Sequence, residues 1–238
     1  MAWTRFSLGG PAGARLQPPA VHYGPGIPTE DELRLLGHVA GRRVLELGCG
    51  AGVNTVAMAT AGARVIAVDD VEGNLDEARE RAAKAGVKVE THHGSLADLA
   101  FVRADTIDAA VSTYALATVD DLDRVFRQVH RVLRSERPFV FSLPHPAFLL
   151  VDPTDAEPVV RRSWWDPEPV PWSHDPVRDR PDRVITLSAL FASLGRAGFS
   201  VDALLEPQPE RGAAGDAWSE AMRWLPPTLI VRARKLGV

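Results

Sequence analysis

Apolar residues fall in short runs along the chain, separated by stretches with helical spacing. The run Val44, Leu45, Leu47 is of the kind that fills a strand buried on both faces. Similar runs predict strands at Ala63–Asp69, at Val87–Thr91 leading into His92-His93, at Ile107–Ser112 and at Pro138–Ser142. Two more follow at Phe199–Glu206 and Thr228–Lys235. Between them, Thr29-Glu30-Asp31-Glu32 has the form of a capping box, and it predicts a helix with Leu33, Leu36 and Val39 on one face that stops near Gly41. Val53–Ala61 reads as a second helix. A third carries Leu75, Ala78 and Ala82 inward, with Glu77/Arg81 and Glu80/Lys84 as i,i+4 pairs and Gly86 as cap. Asp120 and Asp121 open a fourth, with Leu122, Val125, Phe126, Val129 and Leu133 on its buried side. Thr186–Gly198 predicts a fifth, with Leu187, Leu190, Phe191 and Leu194 inward. Strands alternating with helices at this spacing predict an α/β fold: a doubly wound, Rossmann-like, mostly parallel sheet with right-handed crossovers.

The periodicity breaks in three places. Residues 1–28, rich in Gly, Pro and Ala, read as an N-terminal arm that either folds over a ligand cleft or trails as a loose tail. From Pro144 to Arg183 seven prolines follow Pro146, together with Trp164, Trp165 and Trp172, which predicts an insertion that packs on the body as a lid. A second polar insertion runs from Pro207 to about Trp224. The expected division is therefore an arm (1–28), a ligand-binding core (29–145), a lid or substrate insertion (146–185) and a part that completes the sheet (186–238).

Composition narrows the function classes. The 238 residues are enough for one sizeable core, and 27 basic against 31 acidic residues, a formal charge of -4, provide no basic field for nucleic acid. No run is long enough to span a membrane, and the start lacks the apolar stretch of a signal peptide, so a cytoplasmic protein is expected. His22, His92, His93 and His130 have no metal-ligand spacing and read as structural or exposed; no metal site is expected.

The chemistry concentrates after the first strand, where Gly48, Gly50 and Gly52 lead into a helix. Glycine lets a backbone turn tightly and approach a ligand, and the helix start adds N–H groups for the ligand's negative end. A dinucleotide fingerprint, Gly-x-Gly-x-x-Gly or Ala, fails here because its last position is Val53. Read as Glu-x-Gly-x-Gly-x-Gly, the run Glu46, Gly48, Gly50, Gly52 fits completely. Cys49, the single cysteine, reads as a small residue within that turn rather than a nucleophile.

This pattern resembles the first-strand motif of the class I S-adenosylmethionine (SAM) methyltransferases. Later stretches strengthen the likeness: "YALATVDDLDRVFRQVHRVL" followed by "FVFSLPHP" is similar to the ubiquinone/menaquinone and sterol type of small-molecule methyltransferases. The resemblance covers about 29–145 and 186–235. It implies SAM as cofactor, S-adenosylhomocysteine (SAH) as product, a small-molecule acceptor, and a seven-stranded sheet whose antiparallel last strand is inserted between strands five and six. It implies cofactor contacts at Glu46, Gly48, Cys49, Gly50 and Gly52, and at Asp69, whose carboxylate would accept both ribose hydroxyls. Two positions depart from the family pattern. Ser95, beside Leu96, stands where an acid usually meets the adenine amino group, and Asp70 stands where an aliphatic residue usually packs on adenine. The resemblance therefore implies a weaker adenine contact.

Ligands of open α/β sheets lie beyond the C-terminal strand ends, which adds Thr113, Tyr114 and Ala115 to the site. Asn54 either meets the cofactor's methionine end or caps its helix. Tyr114 either lines that end or touches substrate. His145, between two prolines, is the candidate general base or acceptor contact; otherwise it shapes the lid entry. The reading is a SAM-dependent methyltransferase acting on an O, N or C nucleophile. The alternatives are a SAM- or SAH-binding protein without transfer activity, and an NAD-binding oxidoreductase.

Overall fold

The computed structural model describes residues 20–153, 155, 157–170, 182–215 and 218–237. Its strands are β1 (Arg43–Leu47), β2 (Arg64–Asp69), β3 (Glu90–His93), β4 (Ala109–Thr113), β5 (Pro138–Pro144), β6 (Phe199–Leu205) and β7 (Thr228–Lys235). They form one sheet in the order β3-β2-β1-β4-β5-β7-β6. The pairs β1–β2, β2–β3, β1–β4 and β4–β5 are parallel, while β7 runs antiparallel to both β5 and β6. This is the doubly wound α/β sheet expected from the sequence, with its antiparallel last strand inserted between strands five and six.

The helices are α1 (Glu30–Leu33), α2 (Val53–Thr60), α3 (Glu72–Lys84), α4 (Leu122–Val132), α5 (Leu187–Arg196) and α6 (Arg211–Ala214). Helix α4 starts where its acids predict, with Asp121 accepting from the Arg124 N–H at 2.9 Å. It buries Val125, Phe126 and Val129, and the Phe126 ring meets Phe139 and Phe141 of β5. On the other face of the sheet, Val44, Val65, Val111, Val140 and Ile230 pack with Met58 of α2 and with Val21, Tyr23 and Ile27. Residues of the N-terminal segment are thus part of this core layer.

Three details differ from the sequence expectations. Helix α1 ends after four residues because Arg34 adopts a left-handed conformation. The Glu30 carboxylate then gathers the Leu35, Leu36 and Gly37 N–H groups, a turn that competes with continued helix. Strand β3 begins at Glu90 rather than Val87, its pairing partner in β2 starting at Ile66. Phe191 is 60% exposed: α5 turns Leu190 and Leu194 inward and leaves Phe191 on its outer face. No described helix is long and apolar enough to cross a membrane.

The two insertions meet each other. Phe148 and Val151, after β5, pack with Ala221 and Met222, ahead of β7, into a small satellite cluster edged by Trp218 and Leu225. Of the predicted lid, the stretch 171–181, which holds Trp172, lies outside the described residues.

Candidate active site

The C-terminal ends of β1, β2 and β4 converge on the glycine turn, and the three glycines do different work there. Gly48 (φ +72) lies so close to the turn after β4 that an added Cβ would stand 2.0 Å from the Ala115 Cβ. Gly52 (φ +77) is pressed against α3, where a Cβ would meet the Ala78 Cβ at 2.5 Å. Gly50 (φ +51) is open, with nothing within 4 Å of such a Cβ. Two glycines therefore let protein elements approach the turn, and the middle one leaves space for something else.

Asp69, at the end of β2 and wholly buried, holds the turn in place. Its Oδ2 accepts from the Gly50 N–H at 2.9 Å, and its Oδ1 accepts from the Val71 N–H and the Asn74 side chain, both at 3.0 Å. A carboxylate has about four lone-pair sites, so a ligand hydroxyl competes for limited room on it. Arg81, read from sequence as the partner of Glu77, donates to the Ala51 carbonyl at 2.9 Å and so ties α3 to the turn. Beneath it, Glu46 accepts from the Thr55 hydroxyl. Burial pushes the Glu46 carboxyl up to about 8, against the lowering effect of the Thr55 hydrogen bond, and the nearby Asp69 adds to the rise. Cys49 is buried in the turn, its thiol 3.5 Å from the Gly50 carbonyl.

The remaining predicted residues fall around this centre. Asp70 is half-buried, and its carbonyl contacts the His93 ring at 3.2 Å. Ser95 is exposed and its hydroxyl accepts from the Ala97 N–H at 3.2 Å, while neighbouring Leu96 is buried in the core. Asn54 neither caps α2 with its side chain nor faces open space. Its amide is wholly buried, accepting from the His22 N–H at 2.8 Å and donating to the His22 carbonyl at 2.9 Å and to Thr113 Oγ1 at 3.2 Å. Tyr114 (φ 58) turns its hydroxyl onto Thr228, the first residue of β7. Burial raises its pKa above the ordinary tyrosine value, with the Asp182 charge adding to the rise.

His145 is buried just past β5. Its Nδ1 accepts from the Ala147 N–H at 3.2 Å, which leaves the ring hydrogen on Nε2, facing Glu206 Oε1 at 2.9 Å. Four residues around this site escaped sequence reasoning: His22, Asn74, Thr228 and Glu206. His22, Thr228 and Glu206 are brought in by pairing between distant segments, while Asn74 reaches Asp69 from five residues on; only the Val21/Tyr23 alternation flanking His22 left a trace in the sequence.

Comparison with known proteins agrees with this geometry. A family model described as a methyltransferase domain matches residues 44–136. The ubiquinone biosynthesis O-methyltransferase of Bordetella avium is 40% identical over 93 residues, 39% of each chain. The demethylmenaquinone methyltransferase of Clavibacter sepedonicus is 36% identical over 118 residues, 47% of this chain and 46% of that one. The chain therefore spans less than half the length of either relative. A solved SAM-dependent methyltransferase from Mesorhizobium loti superposes with a TM-score of 0.69 at 27% identity, covering 85% of this chain and 94% of that one. Residues 44–136 match a methyltransferase domain, and the chain is similar to SAM-dependent methyltransferases. Within this methyltransferase domain the residues fit the cofactor on structural grounds. Gly50 leaves an open space, a buried carboxylate backs it, and a helix start closes it.

Proposed function

We propose that the protein transfers a methyl group from SAM to an oxygen, nitrogen or carbon nucleophile of a small molecule. The observation that carries this reading is the Gly50 turn, pinned to Asp69 and open on its outer side. When bound, SAM supplies a methyl group already activated on a sulfonium, so the protein's task is to position the nucleophile and exclude water. Gly48, Cys49, Gly50, Gly52 and Glu46 shape the donor cradle in this reading, and Asp69 meets the ribose. Asp70, Ser95 and Leu96 border the adenine end; Thr113, Tyr114 and Ala115 border the other. The Tyr114 hydroxyl is sealed against Thr228 and held protonated by burial, so we assign it to positioning rather than proton removal. His145 has both ring nitrogens engaged, and we assign it to the acceptor entry, where Glu206 orients it.

The match over 44–136 ends before Pro144, so the acceptors named for the relatives do not carry over through it. We infer that residues 29–145 form the donor core, 146–185 choose the acceptor, 186–238 complete the sheet, and 1–28 act as an arm. The formal charge of -4 supports an enzyme of small molecules rather than a nucleic-acid modifier, and a cytoplasmic location belongs to the same reading. Titration calorimetry with SAM, SAH and NAD(H) tests the donor: SAM and SAH should bind and NAD(H) should not, and the reverse pattern would sink the reading. The engaged nitrogens of His145 favour one second reading, a SAM-binding protein without transfer. Incorporation of labelled methyl from SAM into a panel of phenols, amines and carbon acids separates the two.

A further inference from the structure

His145 and Glu206 meet at the roots of the two insertions: His145 follows β5 and leads into the first, and Glu206 follows β6 and leads into the second. Strands β5 and β6 both run antiparallel to β7, so their C-terminal ends lie at one end of the sheet, the end that carries the glycine turn. The His145 backbone is tied down there. Its N–H donates to the Pro227 carbonyl at 2.9 Å, and its carbonyl accepts from the Phe148 N–H at 2.9 Å, where the satellite cluster begins. The ring is tied as well, with Nδ1 accepting from the Ala147 N–H and Nε2–H donating to Glu206 Oε1. An imidazole spent in this way is neutral, so it holds the carboxylate without cancelling its charge. Among the described residues no lysine or arginine pairs with Glu206 either. Acids nearby are treated differently: Asp202, on the same strand, takes both Arg232 and Arg234, and Glu220 takes Arg211 and Arg223. The His145 side chain is 7% exposed and that of Glu206 47%, so a buried donor grips a carboxylate that opens outward. In the order β4-β5-β7-β6, Glu206 stands three strands from the turn after β4, roughly 14 Å at about 4.8 Å per strand. That is too far to touch a methyl group held beside that turn, and within the length of a small organic molecule.

We propose that Glu206 is the specificity-determining residue of the acceptor side and selects a small molecule that carries an ammonium group remote from its nucleophile; this rests on the donor reading above. His145 is its positioning residue. The bond that orients the ring also fixes the carboxylate, which gives up the rotamer freedom of an ordinary surface glutamate before any ligand arrives. A cationic acceptor gains a charge-assisted hydrogen bond at this point. An anionic one meets a like charge, and a neutral one leaves the carboxylate without a counter-charge. An arginine in place of His145 would hold Glu206 as firmly but would neutralise it. The imidazole is what leaves the site both fixed and anionic.

The test uses the whole chain with SAH bound. Hydroxyphenyl-alkylamines of graded chain length, and the alcohols of the same lengths, are titrated by calorimetry. NMR follows the His145 ring C2–H resonance, assigned by its loss in His145→Gln. The amines should bind more tightly than the alcohols, by about fivefold or more at the best length, and should move the His145 resonance further. Glu206→Gln keeps an oxygen to accept from His145 and removes the charge, so the two series should then bind alike, with SAH affinity within about threefold of the parent. His145→Phe, which loses the ring donor, should reduce the amine preference, and His145→Gln, whose amide supplies an N–H again, should recover part of it. SAH binding without an amine preference, or a preference that survives Glu206→Gln, overturns this inference alone. An amine preference unchanged in His145→Phe overturns the positioning role. Failure of SAH to bind overturns the donor reading and this inference together.

Discussion

The glycine turn and the insertion that follows β5 border the same end of the sheet, but they are held by different means. Around the turn, every element meets another at backbone distance: Gly48 against Ala115, Gly52 against Ala78, and the Gly50 N–H on a buried carboxylate. Among the described residues, the insertion packs through the satellite cluster of Phe148, Val151, Ala221 and Met222, a bridge between Val151 and Val160, and a Val170 N–H bond to the Asp182 carbonyl at 2.9 Å. It leaves Trp165 85% exposed, with Trp224 67% exposed on the facing insertion. In the proposed reading the donor side is preorganised by steric fit, and the acceptor side is expected to open without disturbing the sheet.

The sharpest way to break this comparison is within the turn itself. Gly48→Ala forces a Cβ into Ala115 at a positive φ, combining overpacking with left-handed strain. It should cost about 4 kcal/mol in urea unfolding and abolish SAH binding. Gly50→Ala meets no protein atom, so it should cost only about 1 kcal/mol of stability while lowering SAH affinity by about tenfold or more. Equal stability losses in the two variants would mean that the turn is a structural feature with no ligand-facing side.

That division also explains what the sequence disclosed. The strands, their parallel order and the Glu46–Gly52 turn were legible because each is written in local spacing, where buried strands need apolar runs and tight turns need glycine. The partners that make the glycines obligatory are Ala115, legible from its place after β4, and Ala78, legible as an inward helix residue, but nothing in local spacing tells which glycine each one meets. Asn54 was legible as a site residue but not in its role, because its partner is the backbone of a residue 32 positions away. The brevity of α1 was hidden for a related reason. Leu36 and Val39 keep helical spacing, yet Glu30 captures the N–H groups a longer helix would have used. Phe191 misled because an apolar residue at helical spacing was taken as inward, whereas α5 faces solvent along that edge.

On the acceptor side, Phe148→Ala removes the largest side chain of the satellite cluster and should cost that cluster about 3 kcal/mol. If the satellite opens independently of the sheet, the loss appears locally. Amide hydrogen exchange should accelerate over Phe148–Leu150 and Glu220–Arg223, while SAH affinity stays within about threefold and the β1–β2–β4 amides keep their protection. A uniform loss of protection across the sheet would show that the insertions and the donor core unfold as one unit, and the contrast drawn above would fall.

The last effect, at Glu46, depends on pH, and its sign follows from proton linkage. Its carboxyl is held near 8 in the folded protein against 4.5 when unfolded, chiefly by burial, so folding takes up a proton between those values. The folded state binds that proton more tightly, and Glu46's contribution to stability is complete below pH 4.5. It declines as pH rises through the window and is lost above about 8. The slope can reach about 1.4 kcal/mol per pH unit, so the loss between pH 6 and 8 should be about 2 kcal/mol or less. Glu46→Gln keeps an oxygen to accept from Thr55 and removes the titration. The parent's melting temperature should fall from pH 6 to pH 8 more steeply than the variant's, with the two curves converging at low pH. Parallel curves would mean that Glu46 is ionised in the folded protein. The floor of the glycine turn would then carry a negative charge beneath Gly50, and the donor side would owe its shape to electrostatics as well as to steric fit.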